Sequence, residues 1–423
     1  MALMLVIADD LTGAADCGVA CAGHGLHTIV AMGDAGDLVK AEALSVDADT
    51  RHLPPNEAAQ ETARLLRKYL RDEETLIYKK LDSTLRGNLG AELAAFLEVR
   101  RTFAHSDERV VAVLAPAFPG AGRTTVNGRQ LIHGKTLEES GIAQDREIAE
   151  LLRQANLKPA LLGLELIRGD SDELREAMKT RSQEADVLVC DAETGEDLRR
   201  IAEAAMVLGR GTVWAGSAGL AWHLPPAAGL ARGSATMQGQ PLVAGPVLFV
   251  IGSGSDVSRE QVEVLAARSD TIVMRIPAEV LMAGEQSPQS RAYGHEAERA
   301  LSAGSDVAVM TDPGVRLDNA MGPLLTSALA AMVRPLADRV GALVVTGGET
   351  ARAVFEAWGV NSLRLIGEVE PGLPFSVTSG WSRELPVLTK AGAFGGPETL
   401  LNCQKFLRGL DCSDAANPKH KKG

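Results

Sequence analysis

The chain has 423 residues, of which 45% are hydrophobic and 23% charged. That length exceeds what one core usually serves, so two domains are expected, and the composition excludes a chain dominated by disorder. A formal net charge of −12 excludes a general nucleic-acid or anionic-membrane surface, and any anionic substrate has to be met by a local basic pocket.

Leu3 to Gly18 reads LMLVIADDLTGAADCG, in which a strand-length apolar run stops at Asp9 and Asp10 and a small-residue helix follows. Open α/β sheets place ligands at that edge, and a carboxylate there is equally an ordinary helix N-cap. Further strands are expected at Thr28 to Met32, Leu44 to Val46, Leu76 to Lys80 and Val110 to Leu114, with helices over Glu57 to Leu70 and Asn88 to Glu98. Tyr78 to Asn88, YKKLDSTLRGN, gathers Asp82, two hydroxyls, Arg86 and an amide in one turn, ahead of a helix that Asn88 is placed to cap. Such a cluster is costly to bury without a polar occupant. Arg86 suits bidentate capture of a carboxylate or phosphate and Asp82 can accept a hydroxyl proton; the bland alternative is a salt-bridged turn.

Ala115 to Gly128, APAFPGAGRTTVNG, is a proline-stiffened loop whose glycines let backbone approach a ligand ahead of Arg123, Thr124 and Thr125. Gly128 to Thr136, GRQLIHGKT, has five residues between its glycines where a Walker loop has four. It reads instead as a hairpin with turns at Asn127-Gly128 and His133-Gly134. After strands at Val187 to Cys190 and Thr212 to Trp214, the Pro-, Gly- and Ala-rich stretch Pro225 to Pro246 marks a domain boundary and a candidate hinge. Strands resume at Val247 to Ile251, Thr271 to Arg275, Val307 to Thr311 and Ala342 to Thr346, followed by a helix around Pro397 to Leu407 and a frayed tail, SDAANPKHKKG. The expected fold class is α/β, with two α/β domains over 1–235 and 236–423, each a largely parallel sheet flanked by helices, and a ligand cleft between them.

Two junctions in the second domain share one chemistry: VLFV runs into IGSGSDVS, and ALVVT into GGET, each ahead of a helix. Glycine turns expose backbone N–H groups and the helix adds its positive end, which makes each a phosphate cradle. Ser253, Ser255, Ser258 and Thr350 can add hydroxyls, and the late loop KAGAFGG, Lys390 to Gly396, adds more backbone donors. Gly252 and Gly254 lack the third glycine of a dinucleotide fingerprint, which counts against a dehydrogenase. The cysteines Cys17, Cys21, Cys190, Cys403 and Cys412 are scattered without a CxxC pair, and no HExxH occurs, so they read as free thiols and no metal cage is encoded. Nor is there a G-x-S-x-G elbow for a serine hydrolase.

In chain order, IADDLTGAAD, KKLDSTLRGNLGAEL, APAFPGAGRTTVNG, GSGSDVS, VVTGGETARAV, GEVEPGLP and LTKAGAFGG resemble the four-carbon acid sugar kinases. The resemblance implies an N-terminal sugar-acid domain, a C-terminal nucleotide domain, and ATP-dependent phosphorylation of threonate, erythronate or 3-oxo-tetronate at the terminal 4-hydroxyl. By position it puts Asp9, Asp10, Asp82, Arg86 and Arg123 on the sugar-acid side. On the ATP side it puts Ser253, Ser255, Gly347, Gly348, Glu349, Thr350, Gly392 and Gly395. Arg86, with Arg123, would hold the substrate carboxylate, Asp9 would position a metal or its neighbour, and either Asp10 or Asp82 would take the hydroxyl proton, with ATP and Mg²⁺ as cofactors. Two positions depart from the family pattern, Gly254 in GSGS where GSCS is frequent and Ala393 in KAGAFG where KSGNFG is usual. The expected partners are a small sugar acid and ATP, with a homo-oligomer allowed and neither nucleic acid nor membrane. Strand-length apolar runs and the absence of a basic-then-apolar leader place the protein in the cytoplasm as an expectation. A two-domain sensor that binds sugar acid and nucleotide without chemistry is the alternative.

Overall fold

The computed structural model describes residues 3–35, 41–72, 75–104, 108–142, 147–233, 243–312 and 321–410. The chain divides into two compact units, Met1–Ala235 and Thr236–Gly423.

The strands of the first unit are β1 (Met4–Ala8), β2 (Thr28–Met32), β3 (Ala43–Asp47), β4 (Leu76–Lys80), β5 (Val111–Ala115), β6 (Arg123–Val126), β7 (Arg129–Ile132), β8 (Lys135–Thr136), β9 (Pro159–Leu162), β10 (Val187–Cys190) and β11 (Thr212–Gly216). Its main sheet runs β2-β3-β1-β4-β11-β5-β10-β9, and every neighbouring pair is parallel. Strands buried on both faces need apolar side chains at successive positions, which is why β1 reads MLVIA without alternation. Met4 and Val6 join one core with Cys17 and Ala20 of α1 (Leu11–Gly23), whereas Leu5 and Ile7 join the opposite one with Leu65 and Leu66 of α2 (Pro55–Tyr69) and Leu93 and Phe96 of α3 (Leu89–Phe103). The edge strand β9 is absent from the sequence reading, and its leading proline suits an edge.

The hairpin expected around Gly128 forms as a three-stranded antiparallel ribbon, β6-β7-β8. Asn127 and Gly128 (φ 51° and 69°) and His133 and Gly134 (φ 48° and 77°) make its tight turns, with the paired positive φ that two-residue hairpins require. Two expectations are corrected. Asn88 sits before α3 but makes no cap hydrogen bond; its amide donates to the carbonyls of Thr50 and Leu53 at 3.1 and 2.9 Å. Pro225 and Pro226 are not linker but belong to the last turn of a helix, Ala218–Ala227, where they cannot donate to the carbonyls of Ala221 and Trp222 and the helix ends one residue later. Of the rest of the proposed hinge, residues 234–242 lie outside the described residues, as do Cys412 and the C-terminal tail.

In the second unit the strands are β12 (Val247–Ile251), β13 (Ile272–Ile276), β14 (Val307–Thr311), β15 (Ala342–Thr346), β16 (Ser362–Glu368), β17 (Pro374–Ser379) and β18 (Pro386–Lys390). The order is β13-β14-β12-β15-β18-β17-β16, parallel from β13 to β18 and antiparallel over the last two pairs. Phe249, Val344 and Leu388 share a core with Leu265 and with Leu400 and Phe406 of the C-terminal helix Thr399–Leu407.

Candidate functional site

In the first unit β3, β1 and β4 lie side by side and parallel, so the segments that leave their carboxyl ends share one edge. Asp9 and Asp10 leave β1, Arg51 follows β3, and Asp82 and Arg86 follow β4. Arg51 donates from Nε to Asp9 Oδ2 at 2.8 Å and from Nη1 to Asp10 Oδ2 at 2.6 Å. The other Asp10 oxygen caps α1, accepting from Gly13 N at 2.8 Å, so the residue is the helix N-cap and also a partner of Arg51. The second turn is closed by Arg86, whose Nε donates to Asp82 Oδ2 at 2.5 Å, with Thr84 Oγ1 donating to the same oxygen at 2.5 Å. A Cβ at Gly87 would stand 3.4 Å from Asp9 Oδ2 and 3.7 Å from Arg51 Cα, so the DSTLRGN turn packs directly on the Asp9–Arg51 pair.

A buried charge network holds this arrangement. Lys79 Nζ lies 3.0 Å from Glu92 Oε1, which also accepts from Thr50 at 2.5 Å and Thr62 at 3.1 Å. Thr50 is thereby fixed beside Arg51. Burial disfavours the charged form of Asp9, but Arg51, aided by Lys80 and Lys79, outweighs it and holds the carboxyl below the ordinary range. Burial also opposes ionisation of Asp82, and there the Arg86 hydrogen bond, the Arg51 charge and Thr84 carry its carboxyl well below that range. The carboxylates differ in access, with side chains 2% exposed for Asp9 and 22% for Asp10. Asp9 Oδ1 is buried with no hydrogen-bond partner among the described residues. Arg86 stays 55% exposed. Arg123 makes no hydrogen bond to this group among the described residues: its Nη1 donates to Ala121 O at 2.7 Å and its buried Nε has no hydrogen-bond partner there. The ribbon that carries it is tied to the Asp82 turn by Gln130 Nε2, which donates to Ser83 O at 2.8 Å.

In the second unit β12, β15 and β18 are parallel neighbours, so Gly252–Ser255, Gly347–Thr350 and Ala391–Gly396 emerge at one edge. Gly347 (φ 94°) donates its N–H to Lys390 O at 2.7 Å and turns the chain into the helix Gly348–Trp358, whose first turn holds Glu349. A Cβ at Gly252 would collide with Thr350 Oγ1, and one at Gly392 with Ser253 Oγ. Glycine is therefore what lets the loops close on one another. Ser255 Oγ accepts from Ser258 N at 3.1 Å at the start of the helix Asp256–Arg268 and donates to Gly392 O at 2.9 Å. Ser253 Oγ donates only to Ser255 Oγ, at 3.1 Å. A Cβ at Gly395 would meet Thr399 Oγ1, and Thr346 Oγ1 is buried with no hydrogen-bond partner among the described residues. Gly-rich turns, hydroxyls and two helix N-termini thus converge as an anion cradle.

Residues 4–224 match a family model described as a sugar-binding N-terminal domain, and residues 248–400 one described as a nucleotide-binding C-terminal domain. A D-threonate kinase of Cupriavidus necator is 37% identical over 417 residues, which cover 94% of this chain and 96% of that one. The chain belongs to the four-carbon acid sugar kinases. A 3-oxo-tetronate kinase of the same organism is 30% identical over 94% of this kinase and 95% of its own length. A solved Haemophilus influenzae protein of a domain family without assigned function shares the fold, with a TM-score of 0.74 at 23% identity, covering 95% of this chain and 100% of that one.

Two cations held at these strand ends, Arg51 and Lys390, are not among the residues that sequence reasoning singled out. Arg51 lies four residues beyond the end of β3, a strand whose parallel pairing with β1 is a property of the fold alone. Position just past a strand end was the available signal. Among the described residues no group of three or more His, Cys, Asp or Glu side chains is placed to hold a metal ion, and no helix is long and apolar enough to cross a membrane.

Proposed function

We propose that this kinase transfers the γ-phosphoryl group of ATP to the terminal 4-hydroxyl of a four-carbon sugar acid, with D-threonate the first substrate to test. The observation that carries the reading is the pair of dissimilar sites: acids clamped by guanidinium groups at the strand edge of the unit matched as sugar-binding, and a glycine and hydroxyl cradle at that of the unit matched as nucleotide-binding. Arg86, accessible and already oriented by Asp82, binds the substrate carboxylate, with Arg123 Nε as a second donor. Asp10 takes the proton of the attacking hydroxyl. Its carboxylate is the more open of the adjacent pair, whereas Asp82 is held too acidic to be an effective base. Arg51 fixes the Asp10 carboxylate by holding Oδ2 while Gly13 N holds Oδ1.

The backbone donors at Gly252–Ser255, Gly347–Thr350 and Gly392–Gly395 orient the triphosphate. Mg²⁺ bound together with the nucleotide would supply neutralisation of the phosphate charge. The deciding experiment is coupled ADP release over a panel of D- and L-threonate, D-erythronate and 3-oxo-tetronate. Turnover dependent on one of these acids is expected. Tight binding of acid and nucleotide without ADP would instead identify a sensor.

A further inference from the structure

We infer that Lys390 is a positioning residue for the nucleotide site, its ammonium gathering the carbonyl oxygens of the Ala391–Gly396 loop on one side so that the loop's amides are left for phosphate. A lysine beside a phosphate cradle would ordinarily be taken for a phosphate ligand. Here all three of its N–H donors already have acceptors: Nζ lies 2.9 Å from Ala391 O, 3.0 Å from Gly392 O and 2.9 Å from Phe394 O. The side chain is buried, 2% exposed, at the end of β18, and its own carbonyl accepts from Gly347 N, so one residue ties two of the three converging turns.

The same carbonyls are held from the helix Asp256–Arg268. Gln261 Nε2 donates to Phe394 O at 3.0 Å and Gly396 O at 2.9 Å, and Ser255 and Ser258 hydroxyls donate to Gly392 O at 2.9 and 2.7 Å. With the carbonyls turned inward, Phe394 N bonds Ala391 O, while the amides of Gly392, Ala393 and Gly395 make no internal hydrogen bond among the described residues. Successive free amides with their carbonyls tied back form an anion-binding concavity. Burial pulls the Lys390 ammonium down to about 8, so the loop leans on a cation that folding desolvates. The loop's shape is thus held from beneath by Lys390, Gln261, Ser255 and Ser258 and not by the exposed Ala393.

The inference rests on the reading of this edge as the ATP site. Three variants, Lys390→Met, Gln261→Met and Gly392→Val, separate the two ideas. Steady-state kinetics of Lys390→Met should show KM for ATP raised about tenfold or more with KM for the sugar acid changed by less than about twofold. Gln261→Met should move the same constant in the same direction by a smaller factor. Thermal unfolding adds a readout independent of turnover: the stabilising shift given by ATP should shrink in both variants, more in Lys390→Met than in Gln261→Met, while the sugar acid keeps its own. If Gly392→Val raises KM for ATP but Lys390→Met and Gln261→Met leave it and the ATP-induced shift unchanged, the positioning role is wrong and the site stands. If Gly392→Val also leaves ATP binding intact, the site reading itself fails. Should Lys390→Met not fold, Gln261→Met decides alone.

Discussion

Asp10 and Asp82 follow neighbouring parallel strands, yet their surroundings differ. Asp10 keeps a partly open carboxylate held by one amide and one guanidinium, whereas Asp82 is enclosed by Arg86 and Thr84. Asp10→Asn should therefore lower kcat by about 10²-fold or more, the usual worth of a general base, with KM for the sugar acid nearly unchanged. Asp82→Asn should act mainly on KM, because it frees Arg86 from its oriented position. A larger loss of kcat in Asp82→Asn than in Asp10→Asn would reverse the assignment, and equal losses would refute it.

The same carboxylate predicts a response to acid. Its folded pKa lies below the unfolded value of about 4, so the unfolded chain binds more protons as pH falls through that range. The stability contributed by Asp82 is complete above about pH 5 and is lost as pH drops toward the folded pKa. Urea unfolding at pH 5 and pH 3 should show a smaller loss of stability in Asp82→Asn than in the parent protein. An equal or larger loss would mean that the Arg86 pair contributes nothing to the acid response.

Elements differ in how plainly the sequence announces them, and the reason is burial. β1, β5, β12 and β15 are apolar at nearly every position because both faces are covered, and they stand out without any alignment. The β6-β7-β8 ribbon was legible from its turn chemistry, as Asn-Gly and His-Gly pairs accept positive φ. β16 to β18 were not, because their antiparallel pairing mixes polar and apolar residues and the GEVEPGLP turn reads as loop. Nor were the contacts of Arg51 readable, since they depend on which strand ends become neighbours, or those of Lys390, since they depend on how the following loop folds back over its ammonium. Asp191, just past β10, was likewise passed over although its two oxygens accept from Asn127 N at 2.7 Å and Gly128 N at 2.9 Å. It is the acceptor that fixes the first ribbon turn. Asp191→Ala should cost about 1–3 kcal/mol of stability and speed exchange of those two amides, whereas unchanged exchange there would show that the turn is set by its backbone alone.

At the scale of the molecule, each unit has its own core and its own cluster at the carboxyl edge of parallel strands, which divides the labour of a two-substrate enzyme. Each ligand should then stabilise the segments it touches by mass action, by about 2.7 kcal/mol at a concentration 100 times its Kd. Hydrogen exchange can read this in the intact kinase. A sugar acid alone should slow exchange at residues 9–13, 50–53 and 82–88, and leave 252–258, 347–351 and 391–396 at their free rates. An ATP analogue alone should give the converse map. Both ligands together should protect both sets, since protection follows binding and not turnover, and this holds equally for a chain that bound without chemistry. If the sugar acid alone slowed exchange at 391–396, or the analogue alone at 82–88, the assignment of one substrate to each unit would be wrong. Read beside ADP release, the exchange map therefore separates a misplaced site from a missing reaction.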